Sequence, residues 1–240
     1  ATVGLGTDAL ANDDGSANEN TALGYKAGEA NTSGSYSTFV GHSAGLNASA
    51  TGTVAIGASA LTGSITGTGN IGIGIFVGIA LTSGGYNVFA GNQAGRNLTT
   101  GAYNFFGGGS AGKNATTASN CIAIGRDALG TSTVLGDDNI AIGRTTGSDL
   151  TSGSNNIMAG YLAGRYLTTG THNLILGAEA ASGGGDGLTT GSNNTIIGKQ
   201  AESSSQTVSN EITLGNTAIT KFRVPGLNFI IKDSTATDNY

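Results

Sequence analysis

Asn139-Ile140-Ala141-Ile142-Gly143 is the stretch that decides the fold, because the chain rewrites it from end to end. The phrase returns as Asn20-Thr21-Ala22-Leu23-Gly24, Asn87-Val88-Phe89-Ala90-Gly91, Asn156-Ile157-Met158-Ala159-Gly160, Asn173-Leu174-Ile175-Leu176-Gly177 and Asn194-Thr195-Ile196-Ile197-Gly198. Its last glycine recurs at Gly6, Gly24, Gly41, Gly57, Gly74, Gly91, Gly108, Gly125, Gly143, Gly160, Gly177, Gly198 and Gly215, in steps of 16 to 18 residues and one of 21. Thirteen copies in register make a repeat protein, whose units bury a core only by stacking.

Aligned on the glycine, the copies resolve into columns. Four residues before it stands Asn in eight copies: Asn20, Asn70, Asn87, Asn104, Asn139, Asn156, Asn173 and Asn194. An amide repeated at one place in successive coils predicts a ladder of side-chain hydrogen bonds along the stack. The positions three before and one before are mostly Ile, Leu, Val or Phe and share one face of a strand. The position between them, on the opposite face, is apolar too (Phe39, Ala55, Phe89, Phe106, Ala123, Met158). A strand apolar on both faces must be covered on both, and a coil of about 17 residues covers only one. The expectation is an oligomer whose axis runs along the stack.

Three residues after the glycine, Ala fills eleven of thirteen positions, which predicts a close approach of backbones. The next position is often Gly, as a turn with positive φ requires. A second phrase follows, as in Leu98-Thr99-Thr100-Gly101 and Leu167-Thr168-Thr169-Gly170, read as an apolar plug, a second strand and a glycine turn. Each coil is thus expected to run strand, turn, strand, turn. The fold class is all-β: a parallel β-solenoid, or β-roll, of about 13 coils with ~17-residue repeats over 1–219. Residues 220–240, with the only proline (Pro225), are expected to form one or two capping strands and a polar tail.

Composition narrows the function classes. Glycine numbers 43 of 240 and tryptophan is absent, yet the apolar columns exclude a disordered linker, and glycine is not at every third position as collagen needs. A net charge of −5 argues against nucleic acid as a partner. No run of 18 apolar residues is present, so no membrane insertion is expected. The single cysteine, Cys121, replaces Asn in its column and reads as a small buried residue. With no initiator Met and Ala1 inside a repeat, the chain is expected to be a piece of a longer polypeptide.

Candidate chemistry is sparse. His42 and His172 lie in different columns about eight coils apart, nearly 40 Å along one chain, and read as surface residues. The pairs Asp13-Asp14 and Asp137-Asp138 sit beside glycine in turn-like sequence rather than across a sugar-binding groove. The 21-residue step holds an insertion around Ser182-Gly183-Gly184-Gly185-Asp186-Gly187, read as a surface loop. Asn47-Ala48-Ser49 and Asn97-Leu98-Thr99 match glycosylation acceptors as chance would allow in such a sequence. No catalytic, metal or cofactor residue is assigned. What varies is the pair of residues after each glycine and the residue five before it. Tyr25, Lys26, Tyr36, Tyr86, Asn92, Tyr103, Arg126, Arg144 and His172 are therefore the candidate contacts for a receptor.

The repeat Asn-x-x-x-Gly-x-x-Ala resembles the head repeats of trimeric autotransporter adhesins. The fuller Asn20-Thr21-Ala22-Leu23-Gly24-Tyr25-Lys26-Ala27-Gly28 is similar to arrays in bacteriophage tail fibres, and Asn210 to Ile219 resembles the end of such an array. The resemblance covers about residues 1–219, and it implies a left-handed β-roll, a homotrimer and a cell-surface glycan or protein as the external partner. It favours a virion tail fibre that attaches to a host without catalysis; a bacterial cell-surface adhesin head is the alternative. A monomeric ice-binding solenoid is disfavoured because adjacent threonines such as Thr99-Thr100 are expected on opposite faces of a strand.

Overall fold

The computed structural model describes residues 2–14, 18–183 and 187–221. Thirteen three-residue strands form one sheet: β1 (Val3–Leu5), β2 (Thr21–Leu23), β3 (Thr38–Val40), β4 (Val54–Ile56), β5 (Ile71–Ile73), β6 (Val88–Ala90), β7 (Phe105–Gly107), β8 (Ile122–Ile124), β9 (Ile140–Ile142), β10 (Ile157–Ala159), β11 (Leu174–Leu176), β12 (Thr195–Ile197) and β13 (Ile212–Leu214). They pair in chain order and are parallel throughout, so each strand is one turn of a solenoid lying on the turn before it. Register is strict: Ile122, Ala123 and Ile124 face Ile140, Ala141 and Ile142. The 21-residue step leaves it intact, with Leu174 opposite Thr195. At about 4.8 Å per layer, twelve steps span roughly 58 Å.

Two columns make this stack possible. The strand-ending glycines from Gly6 to Gly198 hold φ between 126° and 136°. A Cβ on Gly143 would lie 2.5 Å from the carbonyl oxygen of Gly160, and one on Gly57 even nearer the oxygen of Gly74. Both the dihedral and the contact with the next coil therefore demand glycine. The asparagine column is the second device. Asn156 Nδ2 donates to Asn139 Oδ1 at 3.0 Å and to the carbonyl of Gly170 at 2.9 Å, while the Asn156 N–H donates to the same Oδ1 at 3.1 Å. The next rung repeats the pattern, with Asn173 donating to Asn156, and so do Asn70, Asn87 and Asn104. Buried amides so fully partnered cost little to desolvate and are expensive to remove. The expected ladder is present. It is interrupted at Ser37 and Thr53, and again at Cys121, whose N–H still donates to Asn104 Oδ1 at 2.9 Å.

The core is a thin line of side chains inside the coil. The central strand residues Phe39, Phe89, Phe106, Met158, Ile175 and Ile196 are buried, as is the alanine column from Ala27 to Ala201. The plugs Leu98, Leu150, Leu167 and Leu188 close the far side. Volume is shared between neighbouring coils. Where the central residue is Phe, the turn carries glycine: a Cβ on Gly45 would fall against the Phe39 ring. Where the turn carries Leu61 instead, that side chain takes the space of a Cβ on Gly72 of the next coil, which would lie 2.7 Å from Leu61 Cγ. Leu10, Leu61 and Leu129 hold φ of 52°, 50° and 48° to do so.

Two expectations need correction. The Leu-Thr-Thr-Gly phrase is not a second strand. Thr99 N–H does donate to Thr116 O on the next coil at 2.8 Å, but Thr100 N–H reaches the same carbonyl at 3.4 Å, which a regular ladder forbids. The glycine turn and the positive φ of Tyr103, 60°, leave no room for consecutive extended residues. For the same reason adjacent threonines do not alternate. Leu98 and Gly101 are buried, whereas Thr99 is half-buried and Thr100 exposed, and Thr99 Oγ1 donates to Thr116 O at 2.9 Å. The capping strands and tail expected from Phe222 onward lie outside the described residues, as do Gly184 to Asp186 of the insertion.

Gly143→Ala should lower stability by at least about 2 kcal/mol, since it combines backbone strain with a clash on backbone. Gly109→Ala is the control, because a Cβ there meets nothing within 4 Å, and its effect should stay within about 0.5 kcal/mol. Thermal midpoints of the two variants check this; equal midpoints would remove the glycine column from the account.

Candidate functional site

Strand alternation places Asn and the central residue inside, and the two flanking apolar residues outside. Those outward columns are not covered by their own chain. Leu23 is 48% exposed, Ile73 46%, Ile142 43% and Phe105 41%. At one border of this face the column after the glycine adds Tyr25, Ile75 and Tyr161, all exposed. The stripe is about 58 Å long and, counting four residues across, about 13 Å wide, roughly 770 Å². Monomeric proteins seldom leave so large a continuous apolar patch in water. It approaches the ~800 Å² that each partner contributes to a stable interface. This stripe is the candidate site.

Two polar rims border it. On one rim stands the residue five before each glycine: Tyr36, Tyr86, Tyr103, Asn120, Asp138, Asn155, His172 and Asn193, all with φ between 57° and 60°. The sequence reading gave positive φ to glycines alone and missed this column. Asn, Asp and His tolerate that conformation and Tyr rarely does, so at Tyr36, Tyr86 and Tyr103 the stack imposes it. Tyr86 and Tyr103 stack with ring centroids 5.2 Å apart and planes 8° from parallel. Tyr86 leans over side-chain-free Gly69, where a Cβ would lie 2.9 Å from its ring.

The other rim is the pair of residues after each glycine. The second of the pair also has positive φ, 55° at Lys26 and 59° at Asp127. Tyr25 lies 5.3 Å from the His42 ring. Lys26 Nζ meets Glu29 Oε1 at 3.0 Å, and that carboxylate holds the ammonium above its ordinary pKa. Arg126 Nε lies 3.7 Å from Asp127 Oδ2. The Arg144 guanidinium sits 4.2 Å over the Tyr161 ring. The nine predicted contact residues thus divide between two rims: Tyr36, Tyr86, Tyr103 and His172 on one, and Tyr25, Lys26, Asn92, Arg126 and Arg144 on the other. The apolar stripe separates them, and they do not form one patch.

The remaining chemistry stays dispersed. His42 and His172 are both exposed, on opposite rims. The Asp13 and Asp14 carboxylates accept from Asn18 Nδ2 at 3.4 and 3.3 Å, and Asp137 Oδ1 accepts the Ser119 N–H at 2.7 Å. These are turn-holding contacts. Among the described residues no group of three His, Cys, Asp or Glu could hold a metal, and no helix is long and apolar enough to cross a membrane. The insertion is pinched at its base, where Gly187 N–H donates to Gly183 O at 2.7 Å. Cys121 is buried, and its Sγ–H is 3.4 Å from Ser119 O.

Comparison with known proteins finds no matching family model, no matching curated protein and no matching solved structure.

Burial pushes the Cys121 thiol from 9.0 to about 11. Two units cut the thiolate fraction at pH 8 about a hundredfold. Alkylation of the native protein at pH 8 should therefore be at least about a hundredfold slower than in denaturant; equal rates would contradict its burial. Because the folded pKa is the raised one, this thiol's contribution to stability is complete below pH 9.0 and is lost as pH rises through about 11.

Proposed function

We propose that this chain is a segment of a homotrimeric, host-attaching fibre, most closely a bacteriophage tail fibre, in which three solenoids bury their apolar stripes against one another. The single observation that carries the reading is the uninterrupted stripe. An outward Ile or Leu in ten of the thirteen rungs, left 37% to 48% exposed at Leu23, Ile56, Ile73, Ile124, Ile142, Ile157 and Ile197, is costly in a lone chain and favourable in an assembly. The periodic backbone supplies stiffness, since every coil is hydrogen-bonded to the next.

The function is mechanical and adhesive, with no reaction assigned. A stiff rod presents the same kind of rim contact at many levels and in three copies. Weak contacts with a cell-surface glycan or protein then gain avidity. Localisation to a virion tail, and the candidate receptor residues, belong to this proposal. The resemblance in the Asn-x-x-x-Gly-x-x-Ala repeat supports it, and the same resemblance leaves the head of a bacterial trimeric adhesin as the second reading. The outward threonine columns give the ice-binding solenoid one point in its favour. That reading needs a lone chain, which leaves the stripe wet.

Light scattering on the purified chain should give three times 23.5 kDa. Ile142→Lys, with a charge in the middle of the stripe, should give single chains with an unchanged circular dichroism spectrum. A monomeric wild type showing thermal hysteresis would overturn the fibre in favour of ice binding. A glycan array on the trimer separates a receptor-binding segment from a passive shaft.

A further inference from the structure

Outside the stripe, the turns that follow β6 and β7 bring two cations together. Arg96 and Lys113 each stand five residues after their glycine, Gly91 and Gly108. The Ala80 N–H donates to Arg96 O at 3.1 Å and the Asn97 N–H to Lys113 O at 3.0 Å. That register sets the two residues over one another, about 4.8 Å apart, where like charges repel. Among the described residues neither has an ion pair; the pairs present are Lys26–Glu29 and Arg126–Asp127. The chain has no Asp or Glu at all from residue 30 to residue 126, although its net charge is −5. Both cations are half-buried, and Arg96 Nε is shut off from water without a hydrogen-bond partner.

Elsewhere the chain relieves such charges itself. Lys26 has Glu29, which occupies in its coil the place that Arg96 occupies two turns of sequence pattern later, five after the glycine. Arg126 and Arg144, also cations in successive coils of one column, have Asp127 at 3.7 Å and the Tyr161 ring at 4.2 Å. Arg165, in the column of Arg96, likewise lacks an Nε partner, but the Tyr166 ring lies 5.1 Å from its guanidinium. Arg96 is followed instead by Asn97, whose amide is already given to Asn114 Oδ1 at 3.0 Å. Three residues before the two cations stand Gln93 and Ser110, both half-buried, and each brings a further donor. Two positive charges and two polar donors thus share one place with no anion on the chain.

We propose that Arg96 and Lys113, with the Gln93 amide and the Ser110 hydroxyl beside them, bind a phosphate group. Two cations held one coil apart are balanced by a single dianion. A phosphate ester carries about −1.5 to −2 at pH 7 and offers three acceptor oxygens, enough to bridge both coils. A carboxylate brings one charge and two oxygens in a plane, and leaves one cation uncompensated. The group is free phosphate or a phosphate borne by a glycan. The site needs one chain only; the glycan source alone rests on the proposed attachment to a cell surface.

Phosphorus NMR on the full chain at low ionic strength tests this, with inorganic phosphate and mannose 6-phosphate as the probes. Broadening of the ligand line gives the affinity, and circular dichroism confirms the fold of each variant. Arg96→Gln and Lys113→Gln should each weaken phosphate binding at least about fivefold. Gln93→Glu, which sets a carboxylate three residues from Arg96 as Glu29 is set from Lys26, should weaken it at least about tenfold. Lys199→Gln removes an exposed cation far along the stack, and should change binding by less than about twofold. Acetate should compete at least about tenfold more weakly than phosphate. Binding left intact by both Arg96→Gln and Lys113→Gln, or reduced as much by Lys199→Gln, would overturn the site. Acetate competing as well as phosphate would overturn phosphate in favour of a carboxylate. Mannose 6-phosphate binding at least about threefold tighter than inorganic phosphate supports a glycan source, and equal affinity supports free phosphate. A trimer that binds neither probe would overturn the site and leave the fibre standing, whereas a single chain that binds them would keep the site and overturn the fibre.

Discussion

A winding of about 17 residues has only one inside. Its strand can turn every second side chain into that narrow space, and the others must face outward whatever their chemistry. In this protein both sets are apolar, and that is the constraint on which everything else depends. The inner set is dry: Phe39, Ala55, Phe89 and Ala123 are fully buried. The outer set is half wet, and nothing in one coil can reach round to cover it. Stacking satisfies the backbone and the core, and leaves an apolar stripe as its necessary by-product.

The interior is held by contacts that tolerate almost no substitution. Glycine stacks on glycine at a distance no Cβ allows. Each buried Asn amide spends its protons and its oxygen on neighbouring coils. Core volume is balanced between a central residue and the turn that faces it, so Phe39 goes with Gly45 and Gly72 with Leu61. The outer columns carry no such restriction, apart from remaining apolar along the stripe. Between these regimes lie the rims, where Tyr, Asn, Asp, His, Arg and Lys alternate without a repeat rule. Identity there is free to follow whatever each level meets.

Much of this was legible in the sequence because the columns are chemically unambiguous. Asn in eight rungs means a ladder, Ala in eleven means a tight crossing, and Cys121 in an Asn position means a small buried group. What could not be read was conformation imposed by the stack. Nothing about Tyr86 or Tyr103 as a residue type signals a positive φ, and their neighbours above and below force it. The Thr99-Thr100 pair looks like strand sequence, yet a glycine and a left-handed residue follow too closely for a strand to form. Leu61 and Leu129 stand where most copies have Gly, and each lies against the turn glycine of the next coil, Gly78 and Gly147, where no Cβ competes for the space. The candidate contact residues were found as individuals. Their division into two rims, one on each side of the stripe, needed the fold.

The account stands or falls on whether the stripe is covered side by side along its length. Small-angle scattering from the purified chain measures this most directly, because it returns rod length and mass per unit length together. A rod close to 60 Å with the mass per length of three chains is the predicted result. A rod of that length with the mass per length of one chain would contradict it, and would mean that this oily flank lives in water.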